Sequence, residues 1–130
     1  MLAIELQFPA GRYHATPWGR NVNEGEPEWP PSPYRLARAI VDMWKRRKPS
    51  WPQERVEPLL QALSGSAQFL LPPTTVAHIR TFLSSNTKNP NDKQLIFDAY
   101  VVLEQNAKAL MGFNSNLETA SLRDLNTLLE

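Results

Sequence analysis

Between Arg12 and Arg20 the chain sets two guanidinium groups around Tyr13, His14 and Trp18, with Gly11 and Gly19 beside them. Unpaired RNA bases stack on aromatic or arginine planes, at about 1–3 kcal/mol per base, while cations follow the phosphates. This stretch holds both kinds of group, and its glycines let backbone N–H groups approach a ligand closely. Tyr13 and Trp18 have an equally ordinary use as caps on a hydrophobic core, and residue type alone leaves that alternative open. A second accumulation of charge follows, in which Arg35, Arg38, Lys45, Arg46, Arg47 and Lys48 stand against Asp42 alone. Such a run suits a phosphate-facing surface, although a solvated helix face has the same composition.

His14 and His78 are the only histidines. Imidazole is a common general acid or base, so the two are candidates for metal-independent RNA cleavage. Cleavage also needs an activated 2′-OH and a cation for the phosphorane, and sequence does not say whether the two histidines meet. Recognition and structural roles are the commoner use of strand and loop histidines, so no catalytic residue is expected. The chain has no carboxylate cluster, His-x-x-x-His spacing or phosphate-loop glycine pattern, so neither a metal nor a cofactor is expected. Cysteine is absent, which removes disulfides and thiol nucleophiles and fits a reducing, cytoplasmic setting. With no run of about 18 apolar residues and no signal-peptide pattern, no membrane partner is expected.

The elements that must position these groups follow from periodicity. Leu2, Ile4, Leu6 and Phe8 alternate with Ala3, Glu5 and Gln7, which predicts a half-buried strand. From about residue 9 to residue 33 the alternation gives way to Gly, Pro and aromatic residues, a loop long enough to be functional. Ser32-Pro33 predicts a helix start, and the helix runs to about Lys48 with Leu36, Ile40, Met43, Trp44 and Arg47 inward. Trp29 is expected in the core, stapled onto that helix. A shorter helix follows over about Arg55 to Leu63, with Pro58 tolerable only in its first turn. Alternation then predicts strands over Val76 to Ser84 and Lys93 to Glu104, joined by a turn from Ser85 to Asp92 into a hairpin. Ser121 and Asp124 suggest a variant capping box opening a last helix on Leu122, Leu125, Leu128 and Leu129.

The order strand, helices, strand, strand, helix predicts one α+β domain of ferredoxin-like, RRM-like type, β-α-β-β-α, which lacks the last strand of that fold. The sequence thus reads as the unfinished part of a longer domain, with an open sheet edge that promotes self-association. Charge is uneven along it: residues 1–55 carry 9 Lys and Arg against 6 Asp and Glu, and residues 56–130 carry 5 against 7.

Three stretches resemble a known family: Phe8 to Arg20, Val22 to Ala39 with its Trp29-Pro-Pro-Ser-Pro33 core, and Leu71 to Arg80. They are similar to the type I-U (also called I-G) CRISPR-associated protein that fuses a Cas-five-like part to a Cas-six-like part, and Leu95 to Tyr100 matches the next strand of that family. Here Ile79 follows His78 where the family pattern has Thr, and Thr81-Phe82-Leu83 replaces a more aromatic run. The resemblance implies an RNA-binding subunit that holds the 5′ handle of a single-stranded guide RNA, with other interference-complex subunits as partners. It also implies a precursor-processing endoribonuclease part, expected beyond Glu130. The residues expected to touch RNA are Arg12, Tyr13, His14, Trp18, Arg20, Arg35, Arg38, Lys45, Arg46, Lys48, His78 and Arg80. Two alternatives stand beside this: an endoribonuclease using His14 and His78, and an interaction module presenting Glu28 to Pro33 as a polyproline II ligand.

Overall fold

The computed structural model describes residues 1–84, 87–89 and 91–130. It is a mixed α+β chain with three helices and two small antiparallel sheets. Contacts between Cα atoms divide it into two compact units, the first made of Met1–Leu6, Pro30–Leu71 and Ala109–Glu130, the second of Gln7–Trp29 and Pro72–Lys108.

In the first unit, strands β1 (Leu2–Phe8), β3 (Ala67–Leu70) and β6 (Ala107–Phe113) form a sheet in the order β1-β6-β3. Alternation along β1 buries Leu2 and Ile4 and exposes Ala3 and Glu5, as the sequence predicts. Helix α1 (Pro33–Arg47) starts where expected, with the Ser32 hydroxyl accepting from Arg35 N–H and Pro33 in the first turn. Ile40 and Trp44 of α1, Val56 and Leu59 of α2 (Gln53–Ala62), and Leu125 and Leu128 of α3 (Thr119–Leu129) close over Leu2, Ile4, Met111 and Phe113. Burying this apolar face is what fixes the helices on the sheet. The Trp44 indole N–H, which would otherwise be a costly buried donor, donates to the Trp51 carbonyl at 2.9 Å.

In the second unit, β2 (Arg12–Tyr13), β4 (Thr75–Ser84) and β5 (Lys93–Val102) form a sheet in the order β2-β5-β4. β4 and β5 are the hairpin that alternation predicts, in unbroken register from Thr75 opposite Val102 to Ser84 opposite Lys93. Ala99, Val101 and Leu103 are buried. Phe8, Tyr13 and Trp29 form an aromatic cluster with ring centroids 5.5–5.8 Å apart. Gly11 has a positive φ of 62° and its carbonyl accepts from Leu103 N–H at 2.9 Å, which ties the start of β2 to the end of β5.

Several expectations change. The long loop holds β2 and a short 3₁₀ turn at Val22–Glu24. Among the described residues the first strand pairs with β6, a strand not predicted from the sequence pattern, and the hairpin strands belong to the other sheet. Trp29 packs on Phe8 and Tyr13. Arg47 is exposed, because the buried stripe of α1 runs through Ile40 and Trp44 and ends there. Helix α2 begins at Gln53, so Pro58 lies inside the helix, in its second turn. Helix α3 is capped at Glu118 with no side-chain cap bond, so Ser121 and Asp124 form no capping box. The turn expected from Ser85 to Asp92 falls partly on residues 85, 86 and 90, which lie outside the described residues.

Candidate nucleic-acid interface

Strand pleating sorts the side chains of the second unit onto two faces. Consecutive residues point to opposite sides, and directly opposed residues share a side. Arg12 opposes Val102, which puts it on the face of Tyr100 and Asp98. On that face the Arg12 guanidinium lies 5.8 Å from the Tyr100 ring centroid, and His14 Nε2–H donates to an Asp98 carboxylate oxygen. The His14 side chain is 49% exposed and that of Asp98 38%, so this row is open to solvent. The carboxylate fixes which imidazole nitrogen carries the proton and how the ring is turned.

The opposite face carries His78, Arg80 and Phe97. Arg80 and Phe97 are directly opposed, and His78 is opposed by Ala99. The His78 ring stacks on Phe97 at 4.6 Å and 29°, and Arg80 lies 5.5 Å from the same ring centroid. Phe97 is also gripped from the loop. Its N–H donates to Asn23 Oδ1 at 3.1 Å, and a Cβ added to Gly25 would overlap its ring.

The remaining loop residues have different surroundings. Tyr13 is half-buried in the aromatic cluster, which is the core-capping use left open above. Trp18 is 80% exposed, at the tip of a turn closed by Arg20 N–H donating to the Pro17 carbonyl. Arg20 is held by Glu24 at 3.1 Å and Glu26 at 3.8 Å. The bond from Glu24 pushes the Arg20 pKa up, and in return holds the Glu24 carboxyl below the usual carboxylate range. Its charge is therefore already matched by two carboxylates.

The basic run lies on α1, in the first unit. Arg35, Arg38, Lys45 and Arg46 are exposed and Lys48 is half-buried. Arg46 is paired with Asp42 at 2.8 Å, Lys45 covers the Trp44 ring at 3.5 Å, and Arg38 lies 5.8 Å from the Tyr34 ring centroid. Lys48 lies 6.0 Å from the centroid of the Trp51 ring. Tyr34, Arg38, Val41, Asp42, Lys45 and Leu60 line an open groove of about 470 Å³. Lys45, Arg46 and Arg47 also occupy the last turn of the helix, where the helix dipole favours cations.

Within the second unit the structure thus gathers Arg12 with His14, and His78 with Arg80; the α1 cations belong to the first unit. Three contributors were not singled out from sequence: Phe97, Asp98 and Tyr100. Their signal was available, since Asp98 and Tyr100 share a face of a predicted strand and Phe97 faces the other way. The segment Glu28 to Pro33 is not displayed as an extended ligand. Glu28 N–H donates to the Ala15 carbonyl, Trp29 is clustered, Pro31 is buried, and Ser32 caps α1. Among the described residues, no group of three His, Asp or Glu side chains is placed to hold a metal ion, and no helix is long and apolar enough to cross a membrane. No protein-family model matches this chain, no curated protein is detectably similar to it, and no solved structure matches it.

Proposed function

We propose that this chain is a single-stranded RNA-binding subunit of a type I CRISPR interference complex, holding the 5′ handle of the guide RNA. One arrangement carries the RNA-binding part of this reading: Arg12, His14 and Tyr100 stand in a row on a solvent-open face of the β2-β5-β4 sheet. An aromatic ring with a guanidinium and an imidazole beside it offers stacking and phosphate contacts together. The sheet of the first unit offers less, because its open face presents Ala3, Glu5, Gln68, Leu70 and Leu110, with no aromatic ring among them. The guide-RNA role and the complex rest on the motif resemblance in the Phe8 to Arg20 and Leu71 to Arg80 stretches.

The β1-β6-β3 order supports the ferredoxin-like part of the reading. In that fold the third strand lies between the first and the second, and helices follow the first and third strands. Taking β1, β3 and β6 as those strands leaves β4 and β5 as a hairpin inserted between the second and third. The strands expected from sequence to be second and third are then the inserted ones.

The test is a titration of labelled repeat RNA, single-stranded and duplex, at low and high salt. The expected result is preference for the single strand and an affinity that falls with salt as Lys and Arg displace phosphate counterions. Equal affinity at both salt concentrations would remove the proposal.

A second reading, metal-independent cleavage of precursor RNA, is favoured by the His14–Asp98 bond, since a carboxylate-oriented imidazole is how a general base is held.

A further inference from the structure

We infer that this chain pairs with a second copy of itself along the free edge of β4, antiparallel and in a register centred on Ile79. Among the described residues β4 pairs only with β5, so one side of this ten-residue strand presents unpaired backbone N–H and C=O groups. Proteins usually protect such an edge with a proline, a bulge, lysines or a short strand. β4 has none of these: it is long, its register with β5 is unbroken, and Arg80 and His78 are its only ionisable residues. All of it except Ala77 is exposed, including Val76 at 64%, Phe82 at 67% and Leu83 at 54%.

Self-pairing is tightly constrained. Around a two-fold axis through the sheet, opposed residues share a face, so the axis must pass through a residue position. Centring on Arg80 sets two guanidinium groups directly opposite each other, which is destabilising. Centring on His78 or Thr81 leaves Phe82 or Val76 with no β4 residue opposite. Centring on Ile79 opposes Ile79 to itself and, twice each, His78 to Arg80, Ala77 to Thr81, Val76 to Phe82 and Thr75 to Leu83, so that each guanidinium faces an imidazole and not a second guanidinium. The Val76–Phe82 and Thr75–Leu83 pairs are of the aromatic and β-branched kind that stabilises sheets.

The pairing is isologous and uses up the edge, so it closes as a dimer and does not propagate through β4. It engages the positions from Thr75 to Leu83, fewer than the roughly 20–30 residues a side of a standard interface. The dimer is therefore weak and concentration-dependent. The inference is independent of the RNA reading, and its test contains no RNA.

The experiment combines sedimentation equilibrium of the full chain with single-cysteine cross-linking, for which the cysteine-free sequence is suited. Directly opposed antiparallel residues have Cα atoms about 4.5–5.5 Å apart, within the range of about 4.4–6.8 Å that a disulfide spans. Ile79→Cys is expected to oxidise to a linked dimer at least about tenfold faster than Arg80→Cys or Thr81→Cys, whose copies are diagonal neighbours or further, with Cα atoms more than about 7 Å apart. The unsubstituted chain is expected to show a monomer–dimer equilibrium, and Phe82→Lys, at an exposed position, to be monomeric with unchanged circular dichroism. A monomer at every concentration would overturn the proposal. So would equal cross-linking at the three positions, or a dimer that Phe82→Lys leaves intact.

Discussion

His14 and His78 sit on opposite faces of one three-stranded sheet. His14 bonds Asp98 and His78 stacks on Phe97, and these two partners are consecutive residues of β5, so their side chains diverge. A two-histidine acid–base pair is therefore not assembled within the sheet, whatever the merits of either imidazole alone. With labelled precursor RNA, no cleavage dependent on both histidines is expected. If a discrete product forms, His14→Ala should abolish it and His78→Ala should not. A product lost equally in both variants would contradict the sheet register.

The cations of the proposed RNA-binding loop are not equivalent, because Arg20 is already matched by Glu24 and Glu26 while Arg12 lies beside Tyr100. Removing Tyr100 as Tyr100→Ala should weaken single-strand binding by roughly 5- to 150-fold, the value of about 1–3 kcal/mol for one stacked base. Arg12→Ala should lower the slope of log affinity against log salt by about 0.7. Arg20→Ala should change both quantities less than Arg12→Ala does. Fluorescence anisotropy across a salt series measures all three, and an Arg20 effect as large as that of Arg12 would show that the acidic clasp opens on binding.

Arg55 and Asp124 join α2 to α3 through two parallel bonds, Nε to Oδ2 at 2.7 Å and Nη2 to Oδ1 at 2.6 Å, with the guanidinium 3.9 Å from the Trp51 ring centroid. The Arg55 bonds hold the Asp124 carboxyl below the usual carboxylate range. A depressed folded-state pKa contributes stability that is present above the unfolded value and is lost as pH falls through the folded one. Asp124→Asn should accordingly lower the Tm at neutral pH by roughly 2–5 °C. The difference from the parent should shrink as the solution is acidified below the carboxylate range. A difference constant from neutral to strongly acidic pH would mean that the charge is not what matters.

These same residues explain how much could be read from sequence. Helix α1 was legible because Ser32-Pro33 and the spacing of Ile40 and Trp44 are local signals, and β1, β4 and β5 were legible from strict alternation. Strand β3, at four residues, is too short to show a period. Strand β6 alternates Ala109, Met111 and Phe113 inward, but its alanines and Gly112 are poor strand formers, so the pattern is muted. Its turn rests on Asn106 at a φ of 60°, which Asn tolerates without marking the strand that follows. Contacts across the chain left no local trace. Asp124 looked like half of a capping box because nothing nearby points to Arg55, 69 positions away, and Asp98 lies 84 positions from His14.

Gly25 sets the last prediction, because it meets two independent constraints that Gly19 meets only in part. Both have positive φ, 67° for Gly25 and 79° for Gly19, where any residue with a Cβ is strained. Around Gly19 there is nothing within 4 Å of an added Cβ, so Gly19→Ala carries the backbone cost alone, about 1 kcal/mol. At Gly25 the added Cβ would overlap the Phe97 ring, which is held in place by the Asn23 bond to its N–H and by the stacked His78. The ring has little freedom to retreat, so the steric cost adds to the backbone cost, and Gly25→Ala should destabilise by about 2–3 kcal/mol. The displaced ring should also loosen the His78 face of the sheet while leaving the His14–Asp98 face intact. Thermal unfolding of both variants, with histidine NMR resonances as a local readout, checks this. The expected pattern is a larger Tm loss for Gly25→Ala than for Gly19→Ala, and a shifted His78 resonance beside an unshifted His14. Equal losses, or a shift at His14 in place of His78, would show that the loop does not clamp Phe97 in solution.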